Sequence, residues 1–125
     1  PIFVCPMFPE TMYFLAEDDL LLKAGYAMVV DETSGEMDLA GNGESAIGIL
    51  QAATTAATQG RVITYGACQA VVGVNGVTVG DLLGCEAGGK VVLAATGDHI
   101  IGVALATIAA DATGTIFFSP RGTVA

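Results

Sequence analysis

Apolar residues fall along this chain in short runs, cut at close intervals by polar turns that carry glycine. YAMVV (26–30) is a run of strand length. It is followed by the turn chemistry TSGE (33–36), a second run EMDLA (36–40), the turn GNGES (41–45), and a third run AIGIL (46–50). RVITY (61–65) closes the series with β-branched and aromatic residues, which favour a pleated, half-buried surface. The series then recurs as DLLGC, AGGK, KVVLA, TGDH, HIIGVA and TIFFS between residues 81 and 119. No stretch sustains a period near 3.6 with capping residues at its ends, so the predicted fold is all-β. The glycine at the centre of each third run predicts a bulge or a close backbone approach. Residues 52–59 and 106–113, rich in Ala and Thr, read as loops or a loose helical turn. CQAVVGVNGVTV (68–79) reads as a hairpin centred on Asn75-Gly76.

The recurrence is an internal repeat. Gly48 aligns with Gly102, Gly60 with Gly114 and Gly35 with Gly89, at an offset of about 54 residues. KAGYAMVV aligns with TVGDLLGC if one residue is dropped. The related units span about 22–66 and 77–122. Two copies are too few for a solenoid. They are expected to close on each other as one small barrel or sandwich over residues 21–125. Residues 1–20, PIFVCPMFPETMYFLAEDDL, stand outside the repeat as an extended N-terminal arm, because Pro6 and Pro9 forbid a helix. The arm concentrates Phe3, Phe8, Tyr13 and Phe14. An apolar arm in water is a liability. It is expected either to cover its own domain's open edge or to add to a neighbouring subunit or a foreign surface. In the second case Phe3, Phe8, Tyr13 and Phe14 are its anchors.

Composition narrows the function classes. The 125 residues are 53% hydrophobic and only 14% charged, against roughly 25% charged in an average soluble domain. Much of the apolar content is Ala and Val, and the longest nearly unbroken apolar run, Ile100–Ala110, is too short to cross a bilayer. Burial against protein partners is the expectation, with no membrane partner. The first residues lack the basic region of a secretory leader. The formal net charge is −9 with four basic residues in all, which excludes direct binding of nucleic acid. Three widely spaced cysteines, Cys5, Cys68 and Cys85, without a CxxC pair, read as reduced core residues of a chain made in the cytoplasm.

Candidate chemistry is sparse. His99, the single histidine, follows Asp98, but neighbouring strand residues point to opposite faces and the repeat places Glu44-Ser45 at the same positions. The pair reads as turn chemistry. No GxSxG elbow, phosphate loop or EF-hand spacing is present. The carboxylates of Glu17, Asp18, Asp19, Asp31, Glu32, Glu36 and Asp38 read as a solvated acidic face. No catalytic residue, metal ligand or cofactor is assigned.

The second unit resembles the small capsid decoration, or cement, proteins of tailed bacteriophages. The resemblance rests on Gly80-Asp81, Gly88-Gly89-Lys90, Thr96-Gly97-Asp98, Ile101-Gly102-Val103-Ala104 and the stretch from Ala112 to Phe118. A weaker version stands at Gly25, Gly35, Ile47-Gly48-Ile49 and Gly60, so the resemblance covers about residues 22–122. It implies a non-enzymatic structural protein on the outer surface of the virion's capsid, binding the major capsid protein and stabilising its contacts. It also implies self-association as a homotrimer. The rival readings are a tail or fibre component, and a carbohydrate-binding module or small enzyme using the acidic face.

Overall fold

Nine strands make up the regular structure of residues 10–124, the part of the chain that this computed structural model describes. They are β1 (Glu10–Leu15), β2 (Ala27–Val30), β3 (Met37–Leu39), β4 (Gly48–Leu50), β5 (Gln59–Val71), β6 (Leu82–Cys85), β7 (Val91–Leu93), β8 (Gly102–Ala104) and β9 (Thr113–Phe118). The fold is all-β, as expected. Every strand pair is antiparallel, in the order β3-β2-β4-β5-β9-β8-β6-β7, with β1 added on β5. The sheet curls into a half-barrel, which matches a small barrel rather than a sandwich. Among the described residues no helix is long and apolar enough to cross a membrane.

The repeat read from glycine spacing is reproduced in the strand register. Ile49 opposite Ile63 recurs as Val103 opposite Phe117. Met28 opposite Leu39 recurs as Leu83 opposite Leu93, and Ala27 opposite Ile49 as Leu82 opposite Val103. Single backbone bonds follow suit: Gly25 N donates to Leu50 O at 2.6 Å, and Gly80 N to Ala104 O at 2.8 Å. Left-handed non-glycine residues also recur, at Ala57 (φ 62°) and Asp111 (φ 57°).

The structure carries the repeat further upstream than the sequence indicates. β1 pairs with the first half of β5 as the second half of β5 pairs with β9: Phe14 lies opposite Gly60, and Ala70 opposite Gly114. The parallel bridge from Ala16 to Met37 recurs from Val72 to Val91, and the antiparallel bridge from Leu20 to Thr54 recurs from Val77 to Ile108. Residues 10–20, expected to stand outside the repeat, are therefore the counterpart of residues 66–77. The correction has a simple cause. Backbone pairing is kept while Met12, Tyr13 and Phe14 face Cys68, Gln69 and Ala70 in the copy, so no side-chain motif survives. β5 is at once the last strand of the first unit and the first strand of the second.

The hairpin expected at residues 68–79 is not formed. Asn75-Gly76 does sit in a turn, closed by Gly76 N on Gly73 O at 3.2 Å. Its flanks pair elsewhere, Val72 with Val91 and Val77 with Ile108. The expected close approach at the central glycines is present. A Cβ on Gly48 would run into Ile63 O and Val62 Cγ1, and one on Gly102 into Phe117 O.

The core divides along the same lines. Ala16, Leu20, Met28, Met37, Leu50 and Val62 form a cluster inside the first unit, with Phe14, Tyr26, Leu39 and Ile47 packed on it. Their counterparts Val72, Val77, Leu83, Val91, Ala104 and Ile116 belong to a larger cluster, which also takes in Ala27, Ala40, Ala46, Ile49 and Ile63 from the first unit. Those five residues form the first unit's side of the junction between units.

Candidate functional site

The functional reading of this chain depends on surfaces, and each residue singled out from sequence has a definite place. His99 is exposed, and both its backbone N (3.1 Å) and its ring Nδ1 (3.0 Å) lie on Gly43 O. Asp98 does not orient that ring. Its Oδ2 accepts from Ala95 N at 2.9 Å within its own turn. The single histidine is a latch between units, since Gly43 belongs to the first and His99 to the second. Cys85 acts in the same seam: its Sγ lies 3.3 Å from both Gly41 O and Glu44 O, and Gly43 N donates to Cys85 O at 2.7 Å.

Cys68 and Cys85 are free, buried thiols. Burial pushes Cys68 up from 9.0 to about 12. Burial chiefly, with the Glu44 carboxylate adding to it, pushes Cys85 to about 11. A thiol so shifted is a poor nucleophile near neutral pH, because the thiolate is the reactive form. Cys5 lies outside the described residues.

The acidic face is assembled around β3 and the turn before it. Asp31 Oδ1 accepts from Thr33 N (2.7 Å) and Ser34 N (3.0 Å), and these bonds hold its carboxyl below the ordinary value. Glu17 is raised, by desolvation first and then by the carboxylates of Asp31, Asp38, Asp18 and Glu36. Asp19 Oδ1 accepts from Ala56 N at 2.8 Å and ties the loop after β4 to the segment after β1. Among the described residues no group of three or more His, Cys, Asp or Glu side chains is placed to hold a metal ion. An open groove of about 550 Å³ runs beside Asn75, Val77, Asp81, Leu93, Thr107 and Ile108 on the second unit.

Exposed apolar side chains gather at β1 and the turn after it, and again on the second unit at Val74, Val79, Leu82, Leu93 and Leu105. Of the four aromatic anchors expected in the arm, Phe3 and Phe8 lie outside the described residues. Tyr13 lies opposite Arg61 and is 60% exposed. Phe14, on the other face of the strand, packs against the first unit's core. Leu15 is exposed on the same face of β1 as Tyr13, and Met12 is exposed on the face that carries Phe14. Leu21 and Leu22 follow in an exposed turn, Leu22 at 88%. Leu20 matches Val77 and Lys23 matches Thr78 in the hydrogen-bond pattern, so Leu21 and Leu22 have no counterpart in the second unit. None of these four residues was marked by sequence reasoning. The extra dileucine was the available signal, and it becomes legible only when the register supplies the alignment.

No family model matches the chain, and no curated protein matches it. Among solved structures, the chain is similar to the N base of the head fiber gp8.5 of bacteriophage phi29. The TM-score is 0.69 at 17% sequence identity, over 94% of this chain and 99% of that one. The likeness is one of fold, over nearly the whole of both chains.

Proposed function

We propose that this chain is a non-enzymatic structural component of a bacteriophage virion. It stands on the outer surface of the head, holds to the major capsid protein, and associates with further copies of itself as a homotrimer. The observation that carries the reading is the fold likeness to a head-fiber base over nearly the whole of both chains. The exposed apolar residues of β1 and of the turn after it support it. Burying a side chain of the Leu or Met class contributes about 1.5–3 kcal/mol. Many modest sites acting together over a shell give a firm hold. In this reading Tyr13, Met12 and Leu15, with Phe3 and Phe8 upstream, bind the capsid or an adjacent copy.

A second reading is favoured by the same neighbour: the domain is the foot of a fibre and serves for attachment, with no cementing role. One experiment separates them. Heads stripped of this protein are incubated with it, sedimented, and heated. Binding that saturates at a copy number set by the icosahedral lattice, with heads made more heat-resistant, is the cement outcome. Saturation without added heat resistance is the attachment outcome. Absence of binding sinks both. Deleting residues 1–9 is expected to weaken binding strongly while leaving the β-rich circular dichroism unchanged. The deletion stops there because Glu10–Leu15 is a strand of the sheet.

A further inference from the structure

The junction between the two units is asymmetric, and the molecule carries a second, uncovered copy of each side of it. The first unit meets the second through Ala27, Ala40, Ala46, Ile49 and Ile63, all buried. Their register counterparts on the second unit are Leu82, Ala94, Ile100, Val103 and Phe117. All five are apolar and none is fully buried as its counterpart is: Leu82 is 41% exposed, and Ala94, Ile100, Val103 and Phe117 are half-buried, Phe117 edge-on against Tyr65. The other side behaves in the same way. Cys68, on the second unit, is 6% exposed inside the shared core, whereas its counterpart Met12 is 52% exposed on β1.

The backbone shows the same two unfilled halves. Val71 N donates to Gly25 O at 2.9 Å, and Ala27 N to Gly89 O at 2.7 Å. A Cβ on Gly25 would stand 2.9 Å from Val71 Cγ2, and one on Gly89 2.9 Å from Ala27 O. The counterparts are Leu15 for Val71, Gly80 for Gly25, Leu82 for Ala27 and Gly35 for Gly89. Neither Leu15–Gly80 nor Leu82–Gly35 is bonded within the chain, and Gly80 and Gly35 have open space where a Cβ would stand. A twofold relation between the units would have made each bond twice.

We infer that a second copy of this chain docks head to tail, the second unit of one molecule meeting the first unit of the next as the first unit meets the second within one chain. Gly80 and Leu82 of one copy then meet Leu15 and Gly35 of its neighbour, and Leu82, Val103 and Phe117 are covered on the side of Met12 and β1. The occupant is argued from continuity with the internal junction: the two uncovered faces are complementary because their copies are already joined. The side-chain contacts that Cys85 and His99 make in the internal seam are not reproduced, because Val30 and Ser45 stand at those positions, and one backbone bond is lost as well. Gly97 N, the counterpart of Gly43 N, is held by Val124 O at 2.9 Å, so the C-terminal tail takes that position in its own chain. Such a contact uses different patches on the two partners and closes into a ring only if its rotation allows. The inference deepens the self-association part of the proposed function. Capsid binding is not among its premises, so failure to bind heads leaves it standing.

The test is analytical ultracentrifugation of the full chain and two variants. Leu82→Arg disables one face and Met12→Arg the other. Both positions are exposed, and circular dichroism and melting check the fold, with Val103→Arg and Leu15→Arg as substitutes. Wild type is expected to associate, and each variant alone to associate at least about tenfold more weakly. Mixed together, the two variants are expected to form a one-to-one dimer that grows no further, since each retains the face the other lacks. A monomeric wild type, variants that associate like wild type, or a mixture no stronger than its parts overturns the inference. So does association that appears only after residues 1–9 are deleted, which would mean that the chain covers the face itself.

Discussion

At Gly48 and Gly102 a hydrogen replaces a side chain because the neighbouring strand's backbone lies where a Cβ would stand. Gly48→Ala is expected to destabilise the fold by about 1–3 kcal/mol through overpacking, read as a lower urea midpoint at unchanged slope. An unchanged midpoint would mean that the strands can part without cost. The buried thiols give a second prediction at this scale. With a Cys5→Ser background, Cys68 and Cys85 are expected to resist iodoacetamide in the native protein at neutral pH and to react once it is unfolded. Their pH effect has a definite sign. The folded values, about 12 and about 11, lie above the ordinary 9.0, so the stabilisation is fully present below that ordinary value. It is lost as pH rises from there through the folded values, because the unfolded chain ionises first. A melting temperature that rises above pH 9 would contradict this.

The element that organises the rest is β5, thirteen residues long and common to both units. Because it runs through both and the larger core cluster spans them, the units are expected to unfold together. Amide signals of Ile49 and of Ile116 should vanish with coincident urea transitions. Separate midpoints would show that the shared strand does not couple its halves. Strand type was legible in sequence at this scale because glycine turns and apolar runs alternate at short spacing. The repeat was legible wherever a glycine was required by sterics, as at Gly48 and Gly102. It was illegible at β1, where pairing uses backbone atoms and leaves the side chains free to diverge. Asn75-Gly76 misled for a related reason: it specifies a local turn, but Val72 and Val77 are claimed by Val91 and Ile108 before they can pair with each other.

At the scale of the whole molecule, the low charge fraction gives the expectation of covered surface, and exposed Leu82 with its half-buried neighbours Val103 and Phe117 is the face that the proposed head-to-tail contact would cover. That face could not be read from the chain alone. Leu82 and Ala27 are both ordinary apolar strand residues, and only the three-dimensional junction tells which of the two is left open. The candidate chemistry was legible chiefly as an absence of motifs, and His99 proved to be a seam contact whose place depends on Gly43, far away in sequence.

Sharing one strand between two units has a further consequence. Joined in this way, the units meet at an effective concentration set by the chain and independent of dilution. A weak seam then suffices, and the inner side is correspondingly small, with alanine at positions 27, 40 and 46. Separate molecules have no such tether and lose overall translational and rotational freedom when they join. The outward copy of that seam is bulkier at three of the five positions, Leu82 for Ala27, Ile100 for Ala46 and Phe117 for Ile63, which is the direction the proposed untethered contact would require.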